Sequence, residues 1–368
     1  MLKRIYIKGL WIVDTVLGRL LLYLEKKSIL KQINYSVFKT IENSVRVEHA
    51  EPANFNAADK ALFAHYTGYN TANETIYEFH NVNVAERGII FKGLTNSWTS
   101  VPHVVFREEF GWLYIIKNYL FRRKIKVEQG RTPILLYDFW SSANYYHWLV
   151  DAMPRLFAVK DLLRDKHYTL LLPEACPEYI QRTLSYFNIA GITYIKKNEY
   201  LFAERLLLPY YLAGSGHIHP PKVKEVKEFF VERISVPVNR AERLFVSRSR
   251  QKARRVTNED EVLEVLKSYN FKTVFFEEYT FEQQVALAKG AKIMVTSHGA
   301  NMTNCLFMPG GSKVLELIRE DSPNFCYWAL ASVAGLQYNY QLCEVKGNDH
   351  LLVNIGQFKL NLEKLLHA

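Results

Sequence analysis

Short continuous apolar runs alternate with segments of helical spacing from residue 243 onward. Strands that are apolar along their whole length are typical of a parallel sheet covered on both faces, and the helices between them supply the crossovers that parallel strands need. This alternation predicts a Rossmann-like α/β fold for the segment. The predicted strands are 244–249, 271–276, 291–295 and 313–318, and the predicted helices are 258–270 and 281–290.

A second α/β unit is predicted upstream, where strand-like and helix-like segments also alternate. Its strands are 133–139, 168–173 and 204–212, and its helices are 144–163 and 177–188. The segment 214–243 opens with Gly and Pro and carries one charged helix, so we place a domain boundary near residue 235. The domains are then 1–235 and 236–368, with a closing helix from Asn354 that docks on one domain or bridges both.

Composition restricts the class of protein further. The chain is 49% hydrophobic and 23% charged, which excludes a disordered or fibrous protein. Its net charge of +10 favours an anionic partner such as a phosphate, nucleic acid or anionic lipid. The four cysteines form no CxxC pair and have no zinc-type His spacing, so neither a disulfide scaffold nor a structural zinc is predicted, and a reducing compartment is expected.

The N-terminal segment 5–24 is strongly apolar but is interrupted by Lys8, Asp14 and Arg19. It therefore falls short of the ~18–20 uncharged residues that span a bilayer. No small-residue cleavage site follows, which argues against a secretory signal. Two interpretations remain: a helix packed on its own domain, or an interfacial helix whose basic residues face lipid headgroups. The second predicts a cytoplasmic protein with peripheral inner-membrane contact through residues 1–31.

An arginine-rich run at 248–255 follows the first of the C-terminal strands and precedes a helix. Ligands of open α/β sheets bind beyond the carboxyl ends of the strands, and helix N-termini hold phosphate through free N–H groups. Arg offers phosphate oxygens a planar fork of donors that Lys lacks. The run is therefore a candidate diphosphate site, and a solvated basic loop is the alternative.

The loop at 296–304 follows another of these strands and so reaches the same edge of the predicted sheet. Small residues in it let a ligand approach the backbone, and polar side chains supply contacts. The small residues are Gly299 and Ala300, and the polar ones are His298, Thr303 and Asn304. Glu316, on the next strand, is a candidate to accept hydrogen bonds from a ribose diol. A structural His beside a tight Gly turn is the alternative for the loop.

A third group of polar residues lies near the start of the predicted helix 144–163. His147 and Asp151 are four residues apart and share a helix face, and Arg155 lies one turn further along it. Pro154 cannot donate a helical hydrogen bond and should bend or restart the helix beside Asp151. An acid/base pair next to such an irregularity is a candidate catalytic site, and a structural His–Asp pair is the alternative.

The sequence lacks the motifs that identify several classes of enzyme. The segment GSGHIH at 214–219 has two glycines of a dinucleotide fingerprint but His219 at the third position, so nicotinamide binding is disfavoured. The sequence contains no GxxxxGK[ST] and no GxSxG. It contains neither HExxH nor Asp-x-Asp, so no metal site and no bound cofactor are predicted.

Three stretches form a joint pattern, YYHWLVDAMPRL, LFVSRSRQKARRVTNEDEV and FEQQVALAKGAKIMVTSHGANMTNCLFMPGGSKVLEL. In order, spacing and content this pattern resembles glycosyltransferase family 61, over roughly residues 130–320. The resemblance implies a GT-B fold, with two Rossmann-like domains facing across a cleft, the nucleotide-sugar on the C-terminal domain and the acceptor on the N-terminal one. It also implies inversion at the anomeric carbon without a metal on the diphosphate.

The family's motifs correspond to particular residues of this chain. The resemblance implies that His147 and Asp151 are catalytic. The donor-binding residues that it implies are Ser247, Arg248, Arg255, Asn258, Gln284, His298, Gly299, Ala300, Thr303, Asn304 and Glu316. The chain departs from the family after the His-Gly-Ala loop, because Asn301 and Met302 stand where a second Gly and an aliphatic residue are usual.

These observations predict an inverting, metal-independent hexosyl- or pentosyltransferase. It would move a sugar from a nucleotide diphosphate to a glycan hydroxyl in capsular, lipopolysaccharide or exopolysaccharide synthesis. We expect Asp151 to be the base, with His147 orienting it or exchanging roles with it, because the sequence does not order the two. Arg248 and Arg255 would stabilise the leaving diphosphate from the other domain.

Two alternatives remain open. One is another GT-B-like transferase that acts on polysaccharide, for example by pyruvyl transfer. The other is a basic nucleic-acid-binding protein. It is disfavoured because the basic residues cluster at a strand end and near the N-terminus rather than along one accessible face.

Overall fold

The computed structural model describes residues 33–101, 109–239, 241–347 and 349–367. The segment 1–31, for which membrane contact is predicted, lies outside the described residues. Within the described ranges, no helix combines the length and the apolar character needed to cross a bilayer.

Strands and helices follow one another along the whole described chain. The strands are β1 (Tyr35–Ile41), β2 (Arg46–Val47), β3 (Tyr69–Asn70), β4 (Glu74–Ala85), β5 (Ile90–Lys92), β6 (Thr95–Asn96), β7 (Arg123–Lys126), β8 (Thr132–Leu135), β9 (Tyr168–Pro173), β10 (Ile192–Ile195), β11 (Glu199–Pro209), β12 (Arg243–Val246), β13 (Lys272–Val274), β14 (Ile293–Ser297), β15 (Lys313–Arg319), β16 (Gln337–Lys346) and β17 (His350–Leu352). The helices are α1 (Lys60–Phe63), α2 (Trp112–Phe121), α3 (Tyr145–His147), α4 (Met153–Val159), α5 (Glu178–Leu184), α6 (Pro220–Arg233), α7 (Glu259–Lys267), α8 (Phe281–Gly290), α9 (Cys326–Val333) and α10 (Ile355–His367).

These elements form two compact units that interleave along the chain. The first unit comprises the described residues of Met1–Asn43, Asn73–Ala143 and Arg155–Ser215. The second unit comprises those of Ser44–Ala72, Asn144–Pro154 and Gly216–Ala368. This division differs from the single boundary near residue 235, because two segments from the N-terminal half join the second unit.

The second unit is built on a six-stranded sheet with the strand order β13-β12-β14-β15-β16-β17. The first five strands are parallel, and β17 runs antiparallel to β16. Numbered from β12 along the chain, the parallel strands lie in the order 2-1-3-4-5, which is one of the common doubly wound orders. The order reverses between β12 and β14, and in such sheets a crevice opens at the carboxyl ends of the two strands at the reversal.

The helices of the second unit begin and pack as their sequences dictate. A capping box starts α8, since the Thr280 hydroxyl accepts from the Gln283 N–H at 3.3 Å and the Gln283 side chain accepts from the Thr280 N–H at 2.9 Å. The predicted helix 281–290 is confirmed with these bounds. The predicted closing helix is α10, which buries Phe358, Leu362 and Leu365 in the core of the second unit.

The first unit is built on a nine-stranded mixed sheet. Its path is β10-β9-β8-β11-β4-β5-β6, with β1 also paired to β4 and β7 to β11. Strands β10, β9, β8 and β11 run parallel, whereas β4 is antiparallel to β11 over nine paired residues and continues into the antiparallel strands β5 and β6.

The predicted α/β class is confirmed, and the second unit has the predicted parallel sheet. The first unit differs from the predicted Rossmann-like domain because half of its sheet is antiparallel. The long strand β4 lies in the first 130 residues, where we predict only mixed structure. The GT-B arrangement stays a prediction.

Candidate functional site

Two predicted binding loops lie together at the strand reversal of the second unit. Strand β12 ends at Val246 and leads into Ser247 and Arg248, and its parallel neighbour β14 ends at Ser297 and leads into His298. Because both strands point the same way, their following residues meet at one edge of the sheet. The structure therefore places the arginine-rich run and the His-Gly-Ala loop at the crevice where doubly wound sheets bind ligands.

Arg248 is a buried cation at this crevice. It is only 9% exposed, and its Nε atom is buried without a hydrogen-bond partner. Burial, and next the charge of Arg254, lower the pKa of Arg248, but an arginine stays protonated at neutral pH. No carboxylate of the described residues forms an ion pair with it. A buried charge without a partner is costly, so this position favours an anion from outside the protein.

Gly299 lets the Arg248 guanidinium lie against the loop backbone. A Cβ atom built on residue 299 would stand 2.5 Å from Cζ of Arg248, so a larger residue would displace the guanidinium. Ala300, also predicted to bind the donor, is half-buried and begins a 3₁₀-helix, Ala300–Phe307. A ligand is predicted to approach the loop backbone at Gly299. In the structure, the Arg248 side chain of the protein itself occupies that space.

Arg254 is a second cation at the crevice, and it is absent from the predicted donor-binding residues although it stands in the run 248–255. Its φ of 57° lies in the left-handed region, where residues other than Gly are uncommon and which recurs at functional sites. Its carbonyl accepts a hydrogen bond from the Ser297 hydroxyl at 3.0 Å, which holds the loop against β14. The hydrophobic periodicity of the sequence does not indicate a left-handed backbone conformation, so it gives no reason to single out Arg254.

A cavity of about 240 Å³ opens beside these loops. Its polar lining includes Arg254, His298 and Asn324, and its apolar lining includes Ile318 and Leu351. Arg319 and Asp349 also line it and are paired with each other at 3.0 Å. The volume is somewhat below the ~300–1,000 Å³ of typical ligand pockets, so it suits part of a nucleotide rather than a whole nucleotide-sugar.

His298 and Glu316 form a pair at the rim of this cavity. Nδ1 of His298 lies 2.5 Å from Oε1 of Glu316, and the other carboxylate oxygen accepts from the Tyr338 hydroxyl at 2.5 Å. Glu316 is fully buried. Both oxygens therefore already have partners in the protein, and the ribose contact predicted for Glu316 would require it to exchange them.

Three predicted donor-binding residues have their polar atoms engaged within the second unit. Ser247 donates to the Glu259 carboxylate at 2.7 Å, and burial raises the pKa of Glu259. Asn258 bonds both backbone groups of Val353 at 3.0 Å and so ties the start of α7 to the residues after β17. Arg255 is exposed and contacts His350 at 3.2 Å, so it is not a lining residue of the cavity.

Gln284 and Asn304 belong to a buried network rather than to the cavity lining. The Asn304 amide donates to the Gln284 side chain at 2.9 Å, and its oxygen accepts from the Tyr145 hydroxyl at 2.9 Å. Gln284 in turn donates to the backbone of Phe276. Thr303 is also fully buried. These residues hold α8, the 3₁₀-helix and the segment before α4 together.

The predicted pair His147 and Asp151 is present. Nδ1 of His147 lies 2.6 Å from Oδ2 of Asp151, and both side chains are about one-seventh exposed, at 14% and 15%. The helix widens there into a π-helix, Trp148–Ala152, just before Pro154. A π-turn bonds residues five apart, which accommodates a proline that cannot supply the α-helical bond, and such turns recur at functional sites.

Arg155, which is predicted to continue the same helix stripe, follows the π-helix and packs in the first unit. Arg155 is buried in the first unit, 3.7 Å from Asp138 and over the ring of Tyr211 at 4.0 Å.

The prediction that the His–Asp pair and the donor loops lie in different domains is wrong. The segment Asn144–Pro154 packs in the second unit. The Tyr327 ring on α9 lies 5.3 Å from that of Tyr146 and 5.0 Å from that of His298. Burial, and next the negative charges of Glu316 and Asp151, raise the pKa of Cys326 well above its ordinary value, so both carboxylates act on this thiol. The N-terminal end of α9 thus lies between the two His–carboxylate pairs.

Fold and site together define an α/β protein with a cationic crevice at the reversal of a doubly wound sheet. A family model described as Glycosyltransferase 61 matches residues 145–315. The matched range contains the His147–Asp151 pair and every predicted donor-binding residue except Glu316. This match supports the resemblance to glycosyltransferase family 61.

Curated relatives match over a shorter range. The EGF domain-specific O-linked N-acetylglucosamine transferase of Drosophila melanogaster is 34% identical over 118 residues, 30% of this chain and 22% of the relative. The protein O-linked-mannose beta-1,4-N-acetylglucosaminyltransferase 2 of Mus musculus is 31% identical over 128 residues, 32% of this chain and 22% of the relative. The chain thus spans about a fifth of the length of these relatives.

Proposed function

We propose that the protein is a glycosyltransferase that takes a sugar from a nucleoside diphosphate and places it on a hydroxyl acceptor, with inversion at the anomeric carbon. The observation that carries the proposal is the buried, unpaired Arg248 guanidinium at the strand reversal. A diphosphate supplies the charge that this site lacks and matches the donor geometry of arginine.

On the donor side, Arg248 and Arg254 neutralise the negative charge that grows on the diphosphate as it leaves. Arg254 lines the cavity, Arg248 lies at the adjoining strand end, and neither guanidinium forms an ion pair with a described carboxylate. Their action is electrostatic preorganisation, because the cations are already in place when the charge develops. The cavity walls formed by Ile318 and Leu351 provide the apolar surface that a nucleoside needs.

On the acceptor side, the His147–Asp151 pair removes the proton of the attacking hydroxyl. The acceptor oxygen forms the new bond to the anomeric carbon, the bond from that carbon to the diphosphate oxygen breaks, and the proton passes to Asp151. His147 orients the carboxylate through the hydrogen bond between its Nδ1 and Oδ2 of Asp151 at 2.6 Å. In the alternative assignment, His147 takes the proton and Asp151 orients the imidazole ring. The partial exposure of both side chains leaves them accessible to an acceptor.

The relatives narrow the choice of donor to test first. Both relatives are named for N-acetylglucosamine transfer, so UDP-N-acetylglucosamine is the first candidate donor. The acceptor is a glycan hydroxyl in our proposal, and a protein-linked acceptor like those named for the relatives is the second class to test. The role in surface-polysaccharide synthesis, the cytoplasmic location and the membrane contact of residues 1–31 stay predictions.

Donor binding is the first expected result. A panel of nucleoside diphosphates and nucleotide-sugars should raise the thermal unfolding temperature. A ligand at 100 times its dissociation constant adds about 2.7 kcal/mol to the free energy of unfolding. Inorganic phosphate at equal concentration is the control and should stabilise less, because it lacks the nucleoside. No shift with any nucleotide would contradict the proposed function.

Metal independence is the second expected result. If Arg248 and Arg254 neutralise the diphosphate, sugar transfer should persist in excess EDTA. Among the described residues, no three His, Cys, Asp or Glu side chains stand close enough to hold a metal ion. Transfer activity measured with and without chelator checks the role of the arginines. Complete loss that manganese restores would overturn this assignment.

A further inference from the structure

Glu316 is a charged residue in the middle of a buried strand. It lies on β15 between the fully buried Leu315 and Leu317, and its own exposure is zero. A buried carboxylate destabilises the folded state unless it is paired and hydrogen-bonded. Its two oxygens accept from Nδ1 of His298 and from the Tyr338 hydroxyl. We therefore assign to the Glu316 carboxylate an action on His298, the ring that lies against it.

His298 connects this buried carboxylate to the cavity. Its side chain is 14% exposed, and it lines the cavity together with Arg254 and Asn324. An ionised carboxylate only accepts hydrogen bonds, so Nδ1 carries the proton that is shared with Glu316. Nε2 forms no hydrogen bond with any described residue, which leaves it for a ligand.

We propose that Glu316 and Tyr338 are positioning residues that hold His298 in its Nδ1–H form, so that Nε2 accepts a hydrogen bond from a ribose hydroxyl of the nucleotide. The ribose is then recognised by His298, and Glu316 acts through it. The proposal rests on the proposed function for the identity of the ligand, but the state of His298 is a property of the protein alone. Partners of this kind fix the tautomer and the ring orientation of functional histidines in many sites.

The first test measures the tautomer without any ligand. NMR of the full chain labelled with ¹⁵N-histidine distinguishes a protonated from an unprotonated ring nitrogen. We expect the wild-type His298 to be protonated at Nδ1 and unprotonated at Nε2. Glu316→Gln can present an N–H to Nδ1 and should move the proton to Nε2. A wild-type ring with unprotonated Nδ1, or a Glu316→Gln ring identical to wild type, would overturn the proposal.

The second test measures hydroxyl recognition. Affinities for UDP, 2′-deoxy-UDP and 3′-deoxy-UDP are compared in wild type and in Glu316→Gln. Loss of the recognised hydroxyl should weaken binding to the wild type by about 3- to 10-fold, the range of one hydrogen bond. In Glu316→Gln this discrimination should disappear. A variant that is only damaged in structure would instead weaken UDP and both analogues equally, and that result would contradict the proposal.

Two further variants keep the test independent of the folding of Glu316→Gln. Tyr338→Phe removes one of the two bonds to Glu316 and should reduce hydroxyl discrimination while the Nδ1 proton stays. Tyr340→Phe is the matched control, because it lies on the same strand β16 but donates to Asp59; its discrimination should equal that of wild type. If the wild type binds neither UDP nor any other nucleoside diphosphate, the proposed function fails, and the NMR experiment still decides whether Glu316 sets the tautomer.

Discussion

Replacing Asp151 by asparagine should lower turnover by about 10²- to 10⁴-fold, the usual contribution of a general base. Asparagine has the same shape and keeps an oxygen for Nδ1 of His147, but it cannot take the proton of the acceptor. Because the hydrogen bond to His147 and the packing are kept, the free energy of unfolding should change little. Donor affinity should also be kept. Turnover under saturating donor, together with thermal unfolding and nucleotide titration, checks all three expectations.

The chain offers a matched control in a second His–Asp pair. Nδ1 of His167 lies 2.7 Å from Oδ1 of Asp165 in the first unit, where both side chains are well exposed. Asp165→Asn should therefore leave turnover at the wild-type value. If Asp151→Asn retains near wild-type turnover and His147→Ala abolishes it, His147 is the base. Unfolding of Asp151→Asn would instead support a structural role for the pair.

Replacing Arg248 by methionine should weaken nucleoside diphosphate binding by at least about 100-fold. Each hydrogen bond to a charged group contributes roughly 1.5–3 kcal/mol, and a guanidinium can donate two to a diphosphate. The free protein should keep or gain stability, since methionine removes a buried cation that forms no ion pair with a carboxylate of the described residues. Calorimetric titration with UDP and thermal unfolding of the free variant measure the two effects separately.

Arg250→Met serves as the control in the same loop. Arg250 is exposed, lies over the ring of Phe275 at 3.8 Å and is paired with Glu278. Its removal should change donor affinity by less than about threefold, because screened surface charges contribute little. If Arg248→Met unfolds the free protein while UDP binding by the remaining folded fraction is unchanged, the guanidinium is structural and the donor site lies elsewhere.

The sequence predicts the local elements around the site well, because their signals are local. The helix predicted over 281–290 coincides with the bounds of α8. The arginine-rich run and the His-Gly-Ala loop, each predicted to follow a strand, meet because the two strands are parallel neighbours that point the same way. By contrast, β16 and α9 were not predicted, although α9 carries Tyr327 between the two His–carboxylate pairs.

What the sequence by itself determined is the α/β class, the juxtaposition of His147 and Asp151, and the irregular helix beside Pro154. Each follows from residues within one or two helical turns or within one strand–helix repeat. Tertiary structure alone decided that Asn144–Pro154 packs in the second unit, that Arg248 is buried without a counter-ion among the described residues, and that Glu316 faces His298. These are contacts between segments far apart in the chain. Which segments meet depends on strand order and on the packing of both sheet faces, and a local pattern carries neither.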